Sequence, residues 1–165
     1  MSKSHFPGLT RVDHIGLTVP DLDAAVSFYK DTFGATELFR LGPFDAKDLP
    51  RMADGRDWTA AHVNVPGARL SLVMLQLCPN LRLELLRYEL PADARTTPPR
   101  NCDVGAQHIA LKVSNLEVAV EHLRSRGVRV LAGPIAVTEG PAAGLRVHYF
   151  LDPWGTQLEL VEYKD

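Results

Sequence analysis

Cysteine is scarce in this sequence. Cys78 and Cys102 are the only two in 165 residues, too few for a disulfide framework, so an apolar core must hold the fold together. No apolar run reaches the roughly 18–20 residues that a membrane helix requires. The opening MSKSHFPGLTR lacks the apolar centre of a signal peptide, and a cytoplasmic location is expected. An excess of charge of one sign is also lacking. With 18 basic and 20 acidic residues the net charge is −2, so neither a nucleic-acid nor a membrane partner is expected. What is present is ordinary for a globular protein: hydrophobic residues make up 45% and charged residues 23%, which excludes a disordered chain. The length suits one domain, or two small modules fused together.

The sequence repeats itself. Residues 14–26 read HIGLTVPDLDAAV and residues 108–120 read HIALKVSNLEVAV, identical at seven of thirteen positions. A second echo follows in the same order, LELLRY at 83–88 and LELVEY at 158–163. The offsets are 94 and 75 residues, so the first copy carries about 19 extra residues between its two echoes (94 − 75), for which GPFDAKDLPRMADGRD at 42–57 is the candidate insertion. This gives a first module at 8–90, a linker at 91–103 with three prolines, and a second module at 104–165.

Each module reads as strand, helix, then strands. In RVDHIGLTV, 11–19, Ile15, Leu17 and Val19 alternate with His14, Gly16 and Thr18, which predicts a strand. Pro20 breaks it, Asp21 or Asp23 can cap a helix, and Leu22, Ala25, Val26, Tyr29 and Phe33 recur at helical spacing until Gly34. Further strands are predicted at 35–41, within 58–65, at 68–77 and at 81–88. The second module follows with strands at 106–113, 128–133, 145–151 and 156–163, a helix from Leu116 to Arg126 and a turn at Asp152-Pro153-Trp154-Gly155. The expected fold class is α+β: two paired βαβββ modules forming a curved mixed sheet that encloses a cup, with bare strand edges that favour a homodimer.

The echoes carry a chemical pattern. His14 and His108 occupy equivalent positions, as do Glu84 and Glu159, and each alternates with aliphatic neighbours that seek the core. Period-two geometry therefore aims all four at the opposite face. A single histidine or glutamate on such a strand is usually just wet surface. Two imidazoles and two carboxylates, paired by a repeat, instead suit one divalent metal ion (zinc, nickel, cobalt, manganese or iron) with positions left for water or substrate.

With DHIGLTVPDLDAAVSFYKDTFG, LELLRY, QHIALKV and YFLDPWGTQLELVEY in view, nearly the whole chain resembles the vicinal oxygen chelate superfamily, which includes glyoxalase I, methylmalonyl-CoA epimerase, extradiol dioxygenases and bleomycin-resistance proteins. The resemblance implies paired βαβββ modules and puts the metal positions on His14, Glu84, His108 and Glu159. It further implies proton abstraction beside a carbonyl through an enediolate, with the metal as Lewis acid. The product is an epimer, an isomer or a lyase product. Glu159 is the favoured base, with Glu84 its counterpart. A sugar- or cyclitol-like ketone is as compatible a small-molecule substrate as a thioester. The alternatives are an iron-dependent ring-cleaving dioxygenase, in which the Glu84 position is not a ligand, and a non-catalytic antibiotic-binding protein.

Other residues carry weaker expectations. His148, in VHYF, could face the cup as a second acid or base, and His62 could do the same, although a structural role is expected for both. His122 is expected to be solvated, His5 lies in a tail, and Trp154 is expected to pack in its turn. Arg87, Arg146 and Lys112 are expected at the surface. The insertion 42–57 and the loop 133–144 are candidate lids.

Overall fold

The computed structural model describes residues 7–163, so His5 lies outside the described residues. The chain divides between Ala94 and Arg95 into two compact units, each with its own sheet. The class is α+β.

The first unit contains β1 (Ile15–Thr18), α1 (Leu22–Phe33), β2 (Thr36–Asp45), α2 (Trp58–His62), β3 (Arg69–Cys78) and β4 (Leu81–Leu90). Its four-stranded sheet has the order β1-β4-β3-β2, with β1 parallel to β4 and the other pairs antiparallel. The side chain of Asp21 caps α1 by accepting the Ala24 N–H at 3.0 Å. Asp23, the other capping candidate, pairs with Arg40 at 2.6 Å instead. Leu22, Ala25, Val26 and Tyr29 form the buried stripe of α1, and Gly34, at φ 71°, ends the helix in the left-handed conformation that glycine accepts without strain. That stripe meets Val73, Leu75, Leu83 and Leu85, all fully buried. Each such leucine contributes roughly 1.5–3 kcal/mol of burial.

The second unit contains β5 (Ile109–Lys112), α3 (Leu116–Ser125), β6 (Arg129–Val130), β7 (Ile135–Ala136), β8 (Leu145–Leu151) and β9 (Gln157–Tyr163). The order is β5-β9-β8-β6, with β7 also paired to β8, and the parallel outer pair β5/β9 matches β1/β4. Asn115 caps α3 by accepting the Val118 N–H at 2.9 Å. Leu116, Val120 and Leu123 turn inward, over the buried Phe150, Leu158 and Leu160.

Three expectations need correction. The predicted strand within 58–65 is the short helix α2: the Asp57 carboxylate accepts the Ala60 N–H at 2.8 Å and the Thr59 hydroxyl at 2.7 Å, a capping arrangement that outweighs five residues of weak alternation. The insertion 42–57 is not loop throughout, because β2 continues to Asp45 across a register shift between Leu41 and Phe44. Gly42 makes that shift possible; at φ 99° it lies where a Cβ would come within 2.9 Å of the Leu70 carbonyl oxygen. The predicted strand 128–133 shortens to two residues, and β7 forms inside the expected 133–144 loop.

Candidate metal and proton-transfer site

The site residues follow from the outer parallel strand pairs. In the first unit Gly16 of β1 lies opposite Glu84 of β4, flanked by the pairs Ile15–Leu83 and Leu17–Leu85. Leu83 and Leu85 are fully buried on the helix side, so Glu84 takes the other face. His14 precedes β1 by one residue and shares a face with Gly16, whose missing side chain keeps the space beside Glu84 open: an added Cβ would stand 3.8 Å from Glu84 Oε2. His14 Nε2 lies 3.5 Å from Glu84 Oε2. Its Nδ1 lies 3.0 Å from an Asp13 carboxylate oxygen, and Arg82 stands 3.7 Å from the other oxygen of Asp13. Asp13 therefore accepts the Nδ1–H, an orientation that presents Nε2 to Glu84. The hydrogen bond from His14, reinforced by Arg82, holds the Asp13 carboxyl below its ordinary range.

The second unit repeats the arrangement. Ala110 of β5 lies opposite Glu159 of β9, between the pairs Ile109–Leu158 and Leu111–Leu160. His108 Nε2 lies 3.3 Å from Glu159 Oε2. The residue two positions after each histidine is small, Gly16 in one unit and Ala110 in the other.

These separations fit a shared cation. Two ligand atoms, each about 2.1 Å from one metal ion, stand about 3.0 Å apart at a right angle and about 3.4 Å apart at a tetrahedral angle. Each unit thus supplies one nitrogen and one oxygen spaced as neighbouring ligands. Among the described residues no group of three or more His, Cys, Asp or Glu is gathered as a metal cluster. The His–Glu pair is the unit of construction.

The two carboxylates differ in setting. The Glu84 side chain is 23% exposed and that of Glu159 is 10% exposed. Tyr149 of β8 is the register partner of Glu159, directly across from it on the same face of the sheet. Burial first, then the Glu159 charge, raises the Tyr149 phenol above its ordinary value, so it remains a donor at neutral pH. The Tyr149 ring also stands edge-on to His108, with centroids 5.5 Å apart. Across from Glu84 the register partner is Met74. Sequence reading missed Tyr149, although the signal was there: in LRVHYFL it has the opposite parity to Phe150, and the DPWG turn sets it across from Glu159.

The remaining candidates lie elsewhere. His148 does not join Glu159. It is 2% exposed on the helix side, with Nε2 donating to the Leu131 carbonyl oxygen at 2.8 Å. A cavity of about 340 Å³, lined in part by Val120, Arg124, Pro134 and His148, runs over α3 on that side, so its walls do not include the His108–Glu159 pair. His62 stacks near Trp58 in α2, with ring centroids 4.8 Å apart. His122 is exposed on α3, and Trp154 is half-buried in its turn. Arg146 bridges Glu117 and Glu162, Lys112 lies over the Tyr163 ring, and Arg87 is exposed.

Comparison with known proteins agrees with this architecture. The sequence profile described as the Glyoxalase/Bleomycin resistance protein/Dioxygenase superfamily matches residues 11–160. A 2-epi-5-epi-valiolone epimerase from an Actinomyces species is 43% identical over 163 residues, covering 98% of this chain and 84% of the relative. Mouse mitochondrial methylmalonyl-CoA epimerase is 29% identical over 126 residues, covering 75% of this chain and 57% of that protein. The crystal structure of a glyoxalase family protein from Bacillus cereus superposes with a TM-score of 0.72 at 19% identity, over 100% of this chain and 99% of that one. No helix of the described residues is long and apolar enough to cross a membrane.

Proposed function

Because the chain belongs to the Glyoxalase/Bleomycin resistance protein/Dioxygenase superfamily, we propose that it is a divalent-metal-dependent epimerase that inverts a hydroxyl-bearing carbon beside a ketone. The observation that carries this reading is the repeated pair: His Nε2 and Glu Oε2 at 3.5 Å in one unit and at 3.3 Å, on equivalent strands, in the other. His14, Glu84, His108 and Glu159 would hold the cation, with both pairs drawn from one chain or exchanged between protomers. Once bound, the cation supplies Lewis acidity toward the carbonyl oxygen and the neighbouring hydroxyl.

The chain's own groups supply the proton transfer. Glu159 removes the proton from the carbon next to the carbonyl, and a proton returns to that carbon's opposite face, with Glu84 as its donor. A proton passed back through solvent resets the two carboxylates. Leu158 and Leu160 flank Glu159 on the buried side and exclude water there. Glu84 lies within ligand spacing of His14, which favours a four-ligand set over the three-ligand iron site of a dioxygenase. The relative at 43% identity acts, by its name, on 2-epi-5-epi-valiolone, and a polyhydroxylated cyclic ketone of that kind is the proposed substrate class.

The test is proton exchange. Metal-reconstituted protein incubated with 2-epi-5-epi-valiolone in deuterium oxide is expected to wash one deuterium into the carbon beside the carbonyl as the epimer forms. Glu159→Gln is expected to slow that exchange by about 10²–10⁴-fold. Full-rate exchange in Glu159→Gln would remove the base assignment, and absence of exchange with metal-loaded wild type would overturn the reaction class.

A further inference from the structure

The two half-sites share backbone geometry but not their surroundings. Beside Glu159 stands Tyr149, its cross-strand neighbour, whose ring packs edge-on against His108. The matching position beside Glu84 is Met74, which carries no hydrogen-bond donor. Tyr88 lies on β4 itself, four residues along from Glu84, and is not its cross-strand neighbour. The side chain of Glu159 is also the less exposed of the two carboxylates, 10% against 23%.

We infer that Tyr149 is the positioning residue of the second half-site: its hydroxyl donates to the Glu159 carboxylate while its ring bears on His108, whereas the first half-site has Met74 in the equivalent place. The duplicated units are thereby unequal, with a phenol across from one carboxylate and a thioether across from the other. This inference rests on the reading of the two pairs as cation ligands. A carboxylate has several acceptor directions, and a phenol donor occupying one of them limits the rotation of the others. Groups that hydrogen-bond to ligand carboxylates typically govern metal affinity or activity by about 10–100-fold.

Tyr149→Phe removes the hydroxyl and keeps the ring against His108. Three proteins are compared by calorimetric titration with Co(II), by thermal melting without metal, and by steady-state epimerisation: wild type, Tyr149→Phe and Glu159→Gln. Tyr149→Phe is expected to melt like wild type, to bind Co(II) about 10-fold more weakly, and to lose kcat by at least 10-fold with KM within about twofold. If Tyr149→Phe binds Co(II) as wild type does while Glu159→Gln binds it weakly, the positioning role is overturned and the ligand reading survives. If Glu159→Gln also binds Co(II) as wild type does, or wild type binds none, the ligand reading itself falls and the inference with it.

Discussion

Asp13 decides which nitrogen His14 offers. Its carboxylate lies 3.0 Å from Nδ1 and occupies that nitrogen, so Nε2 is the one turned toward Glu84. No such carboxylate is needed at His108, where the Tyr149 ring constrains the imidazole from the side. Asp13→Ala is therefore expected to weaken divalent-metal binding by about 10-fold, measured by Co(II) titration, with no change in the melting temperature of the metal-free protein. The two histidines and two glutamates could be read from the sequence because the repeat aligns them and the flanking leucines fix their face. Asp13 could not, because its role depends on a ring orientation that sequence spacing does not report. His148 shows the converse. Its neighbours in VHYF allow either face, and the choice falls to the helix side because Phe150, two residues on, is fully buried there.

At the scale of elements, the site depends on strands whose other face is core. Leu158 is fully buried directly before Glu159. Leu158→Ala is expected to destabilise the protein by about 2–5 kcal/mol in urea denaturation, and to disturb Glu159 through the strand rather than through its own chemistry. The turn before β9 makes a pH-dependent contribution. Asp152 accepts the N–H groups of Trp154 and Thr156, at 3.0 and 2.7 Å, and is 4% exposed. Burial raises its carboxyl above the ordinary 3.8, more than those hydrogen bonds lower it. The folded chain therefore holds this proton more tightly than the unfolded chain. The resulting penalty is absent below about 3.8, grows as pH rises through that value, and is complete above the raised folded value. Asp152→Asn keeps the acceptor oxygen and is expected to remove that loss, so its stability gain over wild type, followed by urea midpoints, should increase from pH 3 to pH 7. Helices α1 and α3 were legible because cap, apolar stripe and glycine agree. Helix α2 was not, since five residues carry too little periodicity to outvote a strand-like composition, and only the Asp57 cap betrays it.

For the whole molecule, duplication is the organising fact. Each unit has a parallel outer strand pair, a helix over one face and a His–Glu pair on the other. The order of elements was legible because the two echoes, LELLRY and LELVEY, mark the same strand twice. The inequality between the units was not legible, because Met74 and Tyr149 lie outside both echoes. A pair of ligands alone holds a divalent ion weakly. Four ligands acting on one ion would make its binding depend on residues from both halves of the sequence. The most direct measurement is therefore metal stoichiometry and affinity, by calorimetry and elemental analysis, for wild type, His14→Ala and His108→Ala. The expected result is one ion per chain, with each substitution alone weakening that ion by at least 100-fold. Two independent ions per chain, each lost to only one of the substitutions, would contradict a shared site.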